Sequence, residues 1–251
     1  MRDDITNIAI EDYLLDLMPP RSEIFRELEK RAYDHGLPLI GPVQGEFLYL
    51  LAKSMDAREA LEIGTVTGYA AMWLMRAVAP AGGRLTAIER DSERFKLAKD
   101  YLTRAGYADQ LVIHQGEWFS ILESLDGPFD LIFLDILRNL SDEHDAVKAL
   151  ELCVSRLRPG GMLIGDNVLC SGLVVEDDAA PTVRGIQEFN RAIMQHAQLE
   201  SVIIPLRDGV APIGSNGCGL TSRIMTVPCA VPSVRHRPPV LYWPMYGSPL
   251  G

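Results

Sequence analysis

A short turn with two glycines is the first feature of this sequence that has a chemical meaning. Residues 62–69 read EIGTVTGY and join an apolar run to a helix-like pattern. Gly64 and Gly68 allow the backbone to turn tightly and to approach a ligand closely. Glu89 ends the next apolar run, 21 positions beyond Gly68, and a carboxylate there can accept hydrogen bonds from both ribose hydroxyls. The pattern favours a nucleoside site, although glycines also serve ordinary turns between a strand and a helix.

The residues around the glycines indicate which kind of nucleoside fits. Val66 stands where the dinucleotide motif GxGxxG has its middle glycine, and its side chain would crowd a pyrophosphate. Glu62 places a negative charge just before the turn, which repels phosphate but suits a sulfonium or ammonium group. A nicotinamide-dependent enzyme is therefore the weakest alternative.

Three oxygen-bearing side chains follow two later apolar runs. Asp135 comes directly after residues 129–134, and Asp166 and Asn167 come after residues 162–165. Because the carboxyl ends of neighbouring parallel strands lie at the same sheet edge, we expect these side chains to be close together. Two carboxylates and an amide oxygen suit Mg²⁺, and Mn²⁺ or Ca²⁺ also fit. The alternative is that the two aspartates only cap loops or helices.

The elements that position these residues alternate between strands and helices after residue 58. Apolar strands separated by helices predict a parallel sheet that is covered on both faces. Strands are predicted over 60–63, 84–88, 111–115, 129–134, 162–165 and 201–206, and helices over 69–79, 92–105, 118–125, 143–157 and 183–195. Three further helices are predicted before them, over 8–17, 21–35 and 45–54. We expect residues 1–58 to form a helical lid on the substrate side and residues 59–211 to form the α/β domain.

The last forty residues differ in composition. Residues 212–251 are rich in proline and glycine, and frequent prolines oppose helices and central strands. We expect this tail to be extended or poorly ordered, with one further strand near 223–227. The tail could cover the substrate, contact another subunit or have no function, and its composition favours the last. If the strand that closes the sheet is missing, an open edge would reduce stability.

Composition limits the classes of partner and the cellular compartment. Asp and Glu outnumber Lys and Arg by 34 to 24, and the resulting charge of -10 disfavours nucleic acid as a partner. The N-terminus is acidic where a signal peptide is basic, and no apolar run reaches the roughly 20 residues that cross a bilayer. The four cysteines form no CxxC pair, which favours free thiols. We expect a cytoplasmic protein with no membrane partner.

These motifs carry a resemblance to a known family. Through EIGTVTGY at 62–69 and TAIERD at 86–91, the chain resembles the class I S-adenosylmethionine-dependent methyltransferases. More narrowly, it resembles the cation-dependent O-methyltransferases that include the catechol and caffeoyl-CoA enzymes, from about Pro38 to Val174. The resemblance implies an α/β fold: a Rossmann-like, mostly parallel seven-stranded sheet with helices on both faces and N-terminal helices added. It also implies a homodimer.

The resemblance assigns parts of S-adenosylmethionine to particular segments. It implies that the glycine turn holds the methionine part, that Glu89 binds ribose, and that the loop after the third strand borders adenine. The loop near Ile40 corresponds to a lid segment. The implied cofactor contacts are Ile40, Glu62, Gly64, Thr65, Gly68, Tyr69, Glu89, Gly116, Glu117, Trp118 and Asp135. Taken alone, Trp118 is more typical of a buried core residue than of a shelf for adenine.

The resemblance also implies the metal site and the reaction. The three ligands of the family match Asp135, Asp166 and Asn167 one by one. A hydroxyl of a small, catechol-like aromatic acceptor would bind the cation, which lowers the pKa of that hydroxyl. The resulting oxygen anion would attack the sulfonium methyl group, and the protein would mainly position the reactants.

One segment departs from the family. Residues 135–138 read Asp-Ile-Leu-Arg, so Arg138 stands where the family has a lysine that is proposed as general base. Arginine stays protonated and does not readily accept a proton, but its charge can stabilise an oxygen anion. Leu137 replaces a second acid, which predicts a less polar pocket. Asp135 and Arg138 are the catalytic candidates, and the alternatives are a metal-independent methyltransferase of the same fold or a non-catalytic S-adenosylmethionine-binding protein.

Overall fold

The computed structural model describes residue 5, residues 7–142 and residues 144–216 of the 251-residue chain. Its helices are α1 (Ile8–Leu17), α2 (Glu23–His35), α3 (Gly41–Ser54), α4 (Tyr69–Val78), α5 (Ser92–Arg104), α6 (Trp118–Ser124), α7 (Asp145–Val154) and α8 (Pro181–Gln195). Its strands are β1 (Glu59–Ile63), β2 (Arg84–Glu89), β3 (Leu111–Gln115), β4 (Phe129–Leu134), β5 (Leu157–Asp166), β6 (Leu199–Ser201) and β7 (Val210–Ser215).

The strands form one seven-stranded sheet in the order β3-β2-β1-β4-β5-β7-β6. Strands β1 to β5 pair in parallel, whereas β7 pairs antiparallel to both β5 and β6. The order reverses direction between β1 and β4, and open parallel sheets bind ligands where such a reversal occurs. The predicted fold class is therefore confirmed.

Helices cover both faces of the sheet, because alternate strand residues point to opposite sides. On β4, Ile132 and Leu134 pack into one core cluster with residues of α6, α7 and α8. Leu131 and Phe133 pack into the other, with residues of α2 to α5. Both faces of the central strands are therefore buried, which explains their nearly continuous apolar sequences.

The boundaries near β5 differ from the prediction. Helix α7 ends at Val154 and β5 begins at Leu157, so the predicted helix was too long and the predicted strand too short. The pairing shifts register between Phe129↔Leu157 and Leu131↔Met162. This irregularity accommodates the Pro-Gly-Gly sequence at 159–161 inside the strand, because Pro159 needs no ladder partner there.

The closing part of the sheet also corrects a prediction. Strand β7 is present and includes Pro212, although we expected the proline-rich tail to begin there. The carbonyl of Pro212 accepts a hydrogen bond from the amide of Val202, which follows β6. The nitrogen and the carbonyl of one strand residue point to the same side, so the nitrogen of Pro212 also faces away from β5. The missing N–H of the proline therefore removes no bond from the β5–β7 ladder. The predicted strand over 201–206 is instead β6 (Leu199–Ser201), followed by an isolated bridge at Ile204.

Several expectations concern residues outside this description. The tail over 217–251, with its predicted strand near 223–227, lies outside the described residues, as do Cys218 and Cys229. Cys153 and Cys170 are buried free thiols. In the described part of the chain, no helix is long and apolar enough to span a membrane.

Candidate active site

The glycine turn joins β1 to α4 at the carboxyl edge of the sheet. Gly64 has φ +93°, and a Cβ atom placed on it would lie 2.5 Å from the carbonyl oxygen of Asp135. Gly68 has φ +82°, and a Cβ atom there would lie 3.1 Å from the Cα atom of Ala98 in α5. Both positions need glycine. A side chain there would crowd a neighbouring segment, and other residues rarely adopt these φ values.

Glu89 is held rigidly beside this turn. It is 3% exposed, and its two carboxylate oxygens accept hydrogen bonds from the backbone amides of Val66 and Asp91, each 2.8 Å long. Val66 adopts φ +51°, which directs its amide toward the carboxylate. The acid that we predict to bind ribose is thus positioned by the glycine turn itself.

Glu62 is a fully buried acid with one unsatisfied oxygen. Its Oε2 atom accepts a hydrogen bond from the Thr65 hydroxyl, whereas Oε1 has no hydrogen-bond partner within the described residues. Burial raises the pKa of Glu62 to about 8, and the negative charge of Glu89 adds to this effect. A buried carboxylate of this kind is suited to a cationic or hydrogen-donating group of a ligand.

Asp135 and Asp166 lie just past β4 and at the end of β5. Asp166 is 2% exposed, and its Oδ1 atom accepts a hydrogen bond of 2.8 Å from Gln44 Nε2 of α3. Burial raises the pKa of Asp166 to about 6. Burial, with added repulsion from Asp166, also raises the pKa of Asp135 well above its ordinary value. Asn167 follows with φ +59°. Acidic side chains therefore collect at one sheet edge, where the charge of Arg207 offsets only part of the rise in the pKa of Asp166.

These residues line a cleft with two lobes. The larger lobe has a volume of about 920 Å³ and the smaller one about 590 Å³. Of the predicted residues, Ile40, Glu62, Thr65, Tyr69, Asp135, Arg138, Asp166 and Asn167 line the larger lobe, and Gly64, Glu89, Trp118 and Asp135 line the smaller one. Gly68, Gly116 and Glu117 line neither lobe, and Glu117 is exposed at the start of α6.

A family model described as O-methyltransferase matches residues 18–213 of the chain. This chain belongs to that O-methyltransferase family. It is 30% identical over 205 residues to a catechol O-methyltransferase of Niastella koreensis, which covers 79% of this chain and 90% of the relative. It is 27% identical over 218 residues to a caffeoyl-CoA O-methyltransferase of Eucalyptus gunnii, which covers 80% of this chain and 85% of the relative.

Solved structures support the same family. An O-methyltransferase from Bacillus cereus in complex with SAH superposes with a TM-score of 0.74 at 28% identity, covering 83% of this chain and 97% of that one. The O-methyltransferase TomG from Streptomyces achromogenes in complex with SAM gives a TM-score of 0.73 at 28% identity, covering 83% and 96%. The prediction of an O-methyltransferase is therefore confirmed, and the complexes of these two neighbours with SAH and SAM agree with the predicted cofactor.

In this methyltransferase, Arg138 lies at the rim of the larger lobe. Its side chain is 45% exposed and forms an ion pair of 3.0 Å with Asp208, and it donates a hydrogen bond of 3.3 Å to Ser171 Oγ. Leu137, by contrast, is fully buried in the core and does not line the cleft. The expectation that Leu137 makes the pocket less polar is wrong, because the 3-10 turn over 137–139 directs it inward.

Trp118 combines both of its expected roles. It is 6% exposed within the core cluster on the side of α6, and it also lines the smaller lobe. The guanidinium of Arg90 lies 4.1 Å from the centre of its ring, which is a cation–π contact. The methyltransferase therefore has an aromatic wall at this lobe that the sequence pattern alone did not favour.

Several residues of the cleft were not predicted from the sequence, among them Gln44, Arg94, Arg207 and Asp208. For Gln44 a signal existed, since it is the polar residue on the otherwise small or apolar buried face of α3. Asp208 accepts hydrogen bonds from Arg138 and from the Ser171 amide, and Arg207 pairs with Glu11 of α1. The spacing of residues in the sequence does not predict these contacts, because each contact joins segments that are distant in the sequence.

The metal predicted for this methyltransferase stays a prediction. Among the described residues, no group of three or more His, Cys, Asp or Glu side chains is arranged to hold a metal ion. The predicted ligand set has two carboxylates and one amide, so it contains only two residues of these types. The donors themselves are hard oxygen atoms, which fit Mg²⁺ chemistry.

Proposed function

We propose that this enzyme transfers a methyl group from S-adenosylmethionine to a hydroxyl of a small, catechol-like aromatic acceptor with the assistance of a divalent cation. One observation carries the proposal. Asp135, Asp166 and Asn167 line the same lobe of the cleft as the turn residues Thr65 and Tyr69. The candidate cation ligands and the candidate methionine site therefore share one cavity.

The charges in the cavity support a cation. Within the described residues, Glu62 and Asp135 form no ion pair with a lysine or arginine, although both lie against the larger lobe, and the charge of Arg207 offsets only part of the rise in the pKa of Asp166. Asp135, Asp166 and Asn167 would hold Mg²⁺, and Mn²⁺ or Ca²⁺ would also fit these oxygen donors. When bound, such an ion supplies a positive charge that lowers the pKa of a neighbouring hydroxyl.

The residues of the chain would mainly orient the reactants. Glu89 in the smaller lobe would accept hydrogen bonds from ribose, and Trp118 would form a wall beside adenine. Glu62 and Thr65 would contact the methionine part, under the lid segment at Ile40. Holding donor and acceptor in line contributes to the rate because it removes the entropy cost of bringing them together.

Arg138 would act through its charge. It remains protonated at neutral pH, so it would not remove the proton of the acceptor. At the rim of the larger lobe, it would instead stabilise negative charge on the acceptor oxygen. Its pairing with Asp208 fixes the guanidinium in place and reduces its net field.

The size and lining of the larger lobe support a small aromatic acceptor. Its volume of about 920 Å³ is in the range of a typical ligand pocket. Ile8, Leu37 and Pro38 supply apolar surface to the lobe that also contains the acids. An acceptor with an apolar ring and adjacent hydroxyl groups would match both kinds of lining.

The proposal extends to assembly and location. Ile10, Tyr13 and Leu17 of α1 are 54%, 62% and 64% exposed, which supports a homodimer that covers them. We also propose a cytoplasmic protein without nucleic-acid or membrane partners, because its charge is -10. Sedimentation at micromolar concentration tests the dimer, and a monomer would contradict it.

The experiment that tests the function measures methyl transfer from S-adenosylmethionine to catechol before and after chelation. We expect EDTA to reduce turnover about 100-fold or more and Mg²⁺ to restore it. Asp166→Ala should lose Mg²⁺ binding and turnover together, whereas Asp177→Ala, which removes an exposed acid, should lose neither. Full turnover in EDTA would contradict the role of the cation.

A second candidate is a metal-independent methyltransferase of the same fold. The observation that favours it is Arg138, which replaces the family's lysine and is paired with Asp208 at the rim of the lobe. This candidate predicts unchanged turnover in EDTA and in Asp166→Ala, with an acceptor other than catechol. The chelation experiment therefore separates the two candidates.

A further inference from the structure

We propose that Arg94 binds the carboxylate of the methionine part of S-adenosylmethionine. This inference rests on the cofactor site of the proposed function and names a contact that the glycine motif did not include. It follows from the position of Arg94 between the two lobes, from the charges that surround it, and from the chemistry of the ligand.

Arg94 lies where the two lobes meet. It belongs to the first turn of α5, whose N-cap residue Asp91 accepts hydrogen bonds from the backbone amides of Glu93 and Arg94. Its half-buried side chain lines both lobes, together with Val66, Asp135 and Asn139. We call these four residues the neck. A ligand with its ribose at Glu89 and its methyl group near Asp135 must pass the neck.

Arg94 differs from the other arginines of the cleft. At the larger lobe, Arg138 is paired with Asp208 and Arg207 is paired with Glu11. At the smaller lobe, Arg90 lies over the ring of Trp118. Among the described residues, the guanidinium of Arg94 forms no ion pair, although its charge, after the two backbone hydrogen bonds, contributes to lowering the pKa of Asp91.

The ligand needs such a cation. S-adenosylmethionine carries one carboxylate, and the acids Glu62, Asp135 and Asp166 of the larger lobe offer it no positive charge. The hydroxyl of Thr65 already donates its hydrogen to Glu62, so it does not serve this group. A guanidinium binds a carboxylate through two parallel hydrogen bonds, which are stronger than neutral ones. Because Arg94 forms no ion pair among the described residues, it can bind the carboxylate without first breaking a salt bridge.

The test compares three ligands by titration calorimetry with the wild-type protein and Arg94→Gln. The ligands are S-adenosylmethionine, its decarboxylated form, and 5′-methylthioadenosine, which lacks the whole amino-acid part. We expect Arg94→Gln to weaken binding of S-adenosylmethionine about tenfold or more. Binding of the other two ligands should change less than about twofold, because neither carries a carboxylate.

Arg90→Gln is the matched control. It also removes an arginine of the smaller lobe, but one that contacts Trp118 rather than the neck. It should weaken all three ligands by a similar factor. Arg94→Lys keeps the charge without the two-pronged geometry, and we expect it to retain part of the preference for the carboxylate.

Two results would overturn the assignment. Equal weakening of S-adenosylmethionine and its decarboxylated form in Arg94→Gln would show that Arg94 does not recognise the carboxylate. Loss of all three ligands in Arg94→Gln would show that Arg94 supports the adenosine site as a whole. If the wild-type protein binds none of the three ligands, the proposed cofactor site fails and this inference fails with it. If the wild-type protein binds 5′-methylthioadenosine normally, the cofactor site stands, and a failure in Arg94→Gln then concerns this inference alone.

Discussion

The two ends of strand β4 carry aspartates in opposite situations. At the amino end, Asp130 accepts hydrogen bonds of 2.7 and 2.8 Å from the backbone amides of Arg58 and Glu59 and forms an ion pair with Arg158. Burial alone would raise the pKa of Asp130, but the Glu59 amide, Arg158 and the Arg58 amide together hold it below its ordinary value. The charged form is therefore fully compensated by the protein.

At the carboxyl end, Asp135 has no such partners among the residues that the structure describes. Burial raises its pKa, and the nearby acids Asp166, Glu62 and Glu89 raise it further. The same strand thus holds one acid that strengthens the fold and another that opposes it. Uncompensated acids in a cleft indicate a site that is completed by a ligand, because a protein gains no stability by collecting them.

The largest expected effect concerns catalysis at the carboxyl end. Asp135→Asn removes one negative charge from the candidate cation site, and we expect kcat/KM for methyl transfer to fall about 100-fold or more. In EDTA, the free energy of unfolding should stay equal or rise by about 1 kcal/mol, because repulsion among buried acids is relieved. Urea denaturation and initial rates measure both. A large loss of stability in Asp135→Asn would show that Asp135, like Asp130, stabilises the fold.

The second effect concerns stability at the amino end. Asp130→Ala leaves two backbone amides and Arg158 without their acceptor, so we expect the free energy of unfolding to fall by about 2–3 kcal/mol. Turnover per folded molecule should stay within about twofold of the wild type, since Asp130 is remote from the cleft lining. If Asp130→Ala instead lost turnover and kept its stability, the roles of the two ends would be reversed.

The third effect is a pH dependence at the end of β1. The folded protein retains a proton on Glu62 up to a pH of about 8, whereas the unfolded chain releases it near 4.5. Stability is therefore lost as the pH rises through this interval, by about 1.4 kcal/mol per unit at most. Glu62→Gln removes this loss, and we expect it to stabilise the ligand-free protein by about 1–2 kcal/mol more at pH 9 than at pH 6.

Chemical denaturation of the ligand-free protein at both pH values measures this difference. Glu200→Gln, which removes an exposed carboxylate on β6, is the control and should show no such change. An equal gain for Glu62→Gln at pH 6 and at pH 9 would mean that Glu62 is already ionised in the folded protein at pH 6.

The smallest effect distinguishes the two arginines that pair with aspartates. Arg158→Gln should lower the free energy of unfolding by about 1 kcal/mol and leave turnover unchanged. Arg138→Gln removes a more exposed pair, so its effect on stability should be below about 0.5 kcal/mol, whereas turnover should fall by up to about tenfold. Unchanged turnover in Arg138→Gln would assign Arg138 to structure rather than to catalysis.

Residues that act through local pattern were predictable. Strands β1 and β4 are short apolar runs. Each run ends at a residue type that can be recognised in the sequence, a glycine after β1 and an acid after β4. Glu89 followed from its distance to the turn. Pro212 was misjudged, because its effect depends on which side of the strand its nitrogen faces, and that is set by pairing with β5 and β6.

The sequence by itself therefore indicated the order of strands and helices up to β6, the turn that we predict to bind a nucleoside and the predicted set of oxygen donors, since each depends on residues a few positions apart. Only the tertiary structure decided which acids are compensated. Gln44 reaches Asp166 across 122 positions, Arg158 reaches Asp130 across 28, and Arg94 and Asp135 line the same neck of the cleft. Solvation and charge pairing depend on distances in space, and these are set by how the helices pack on the sheet.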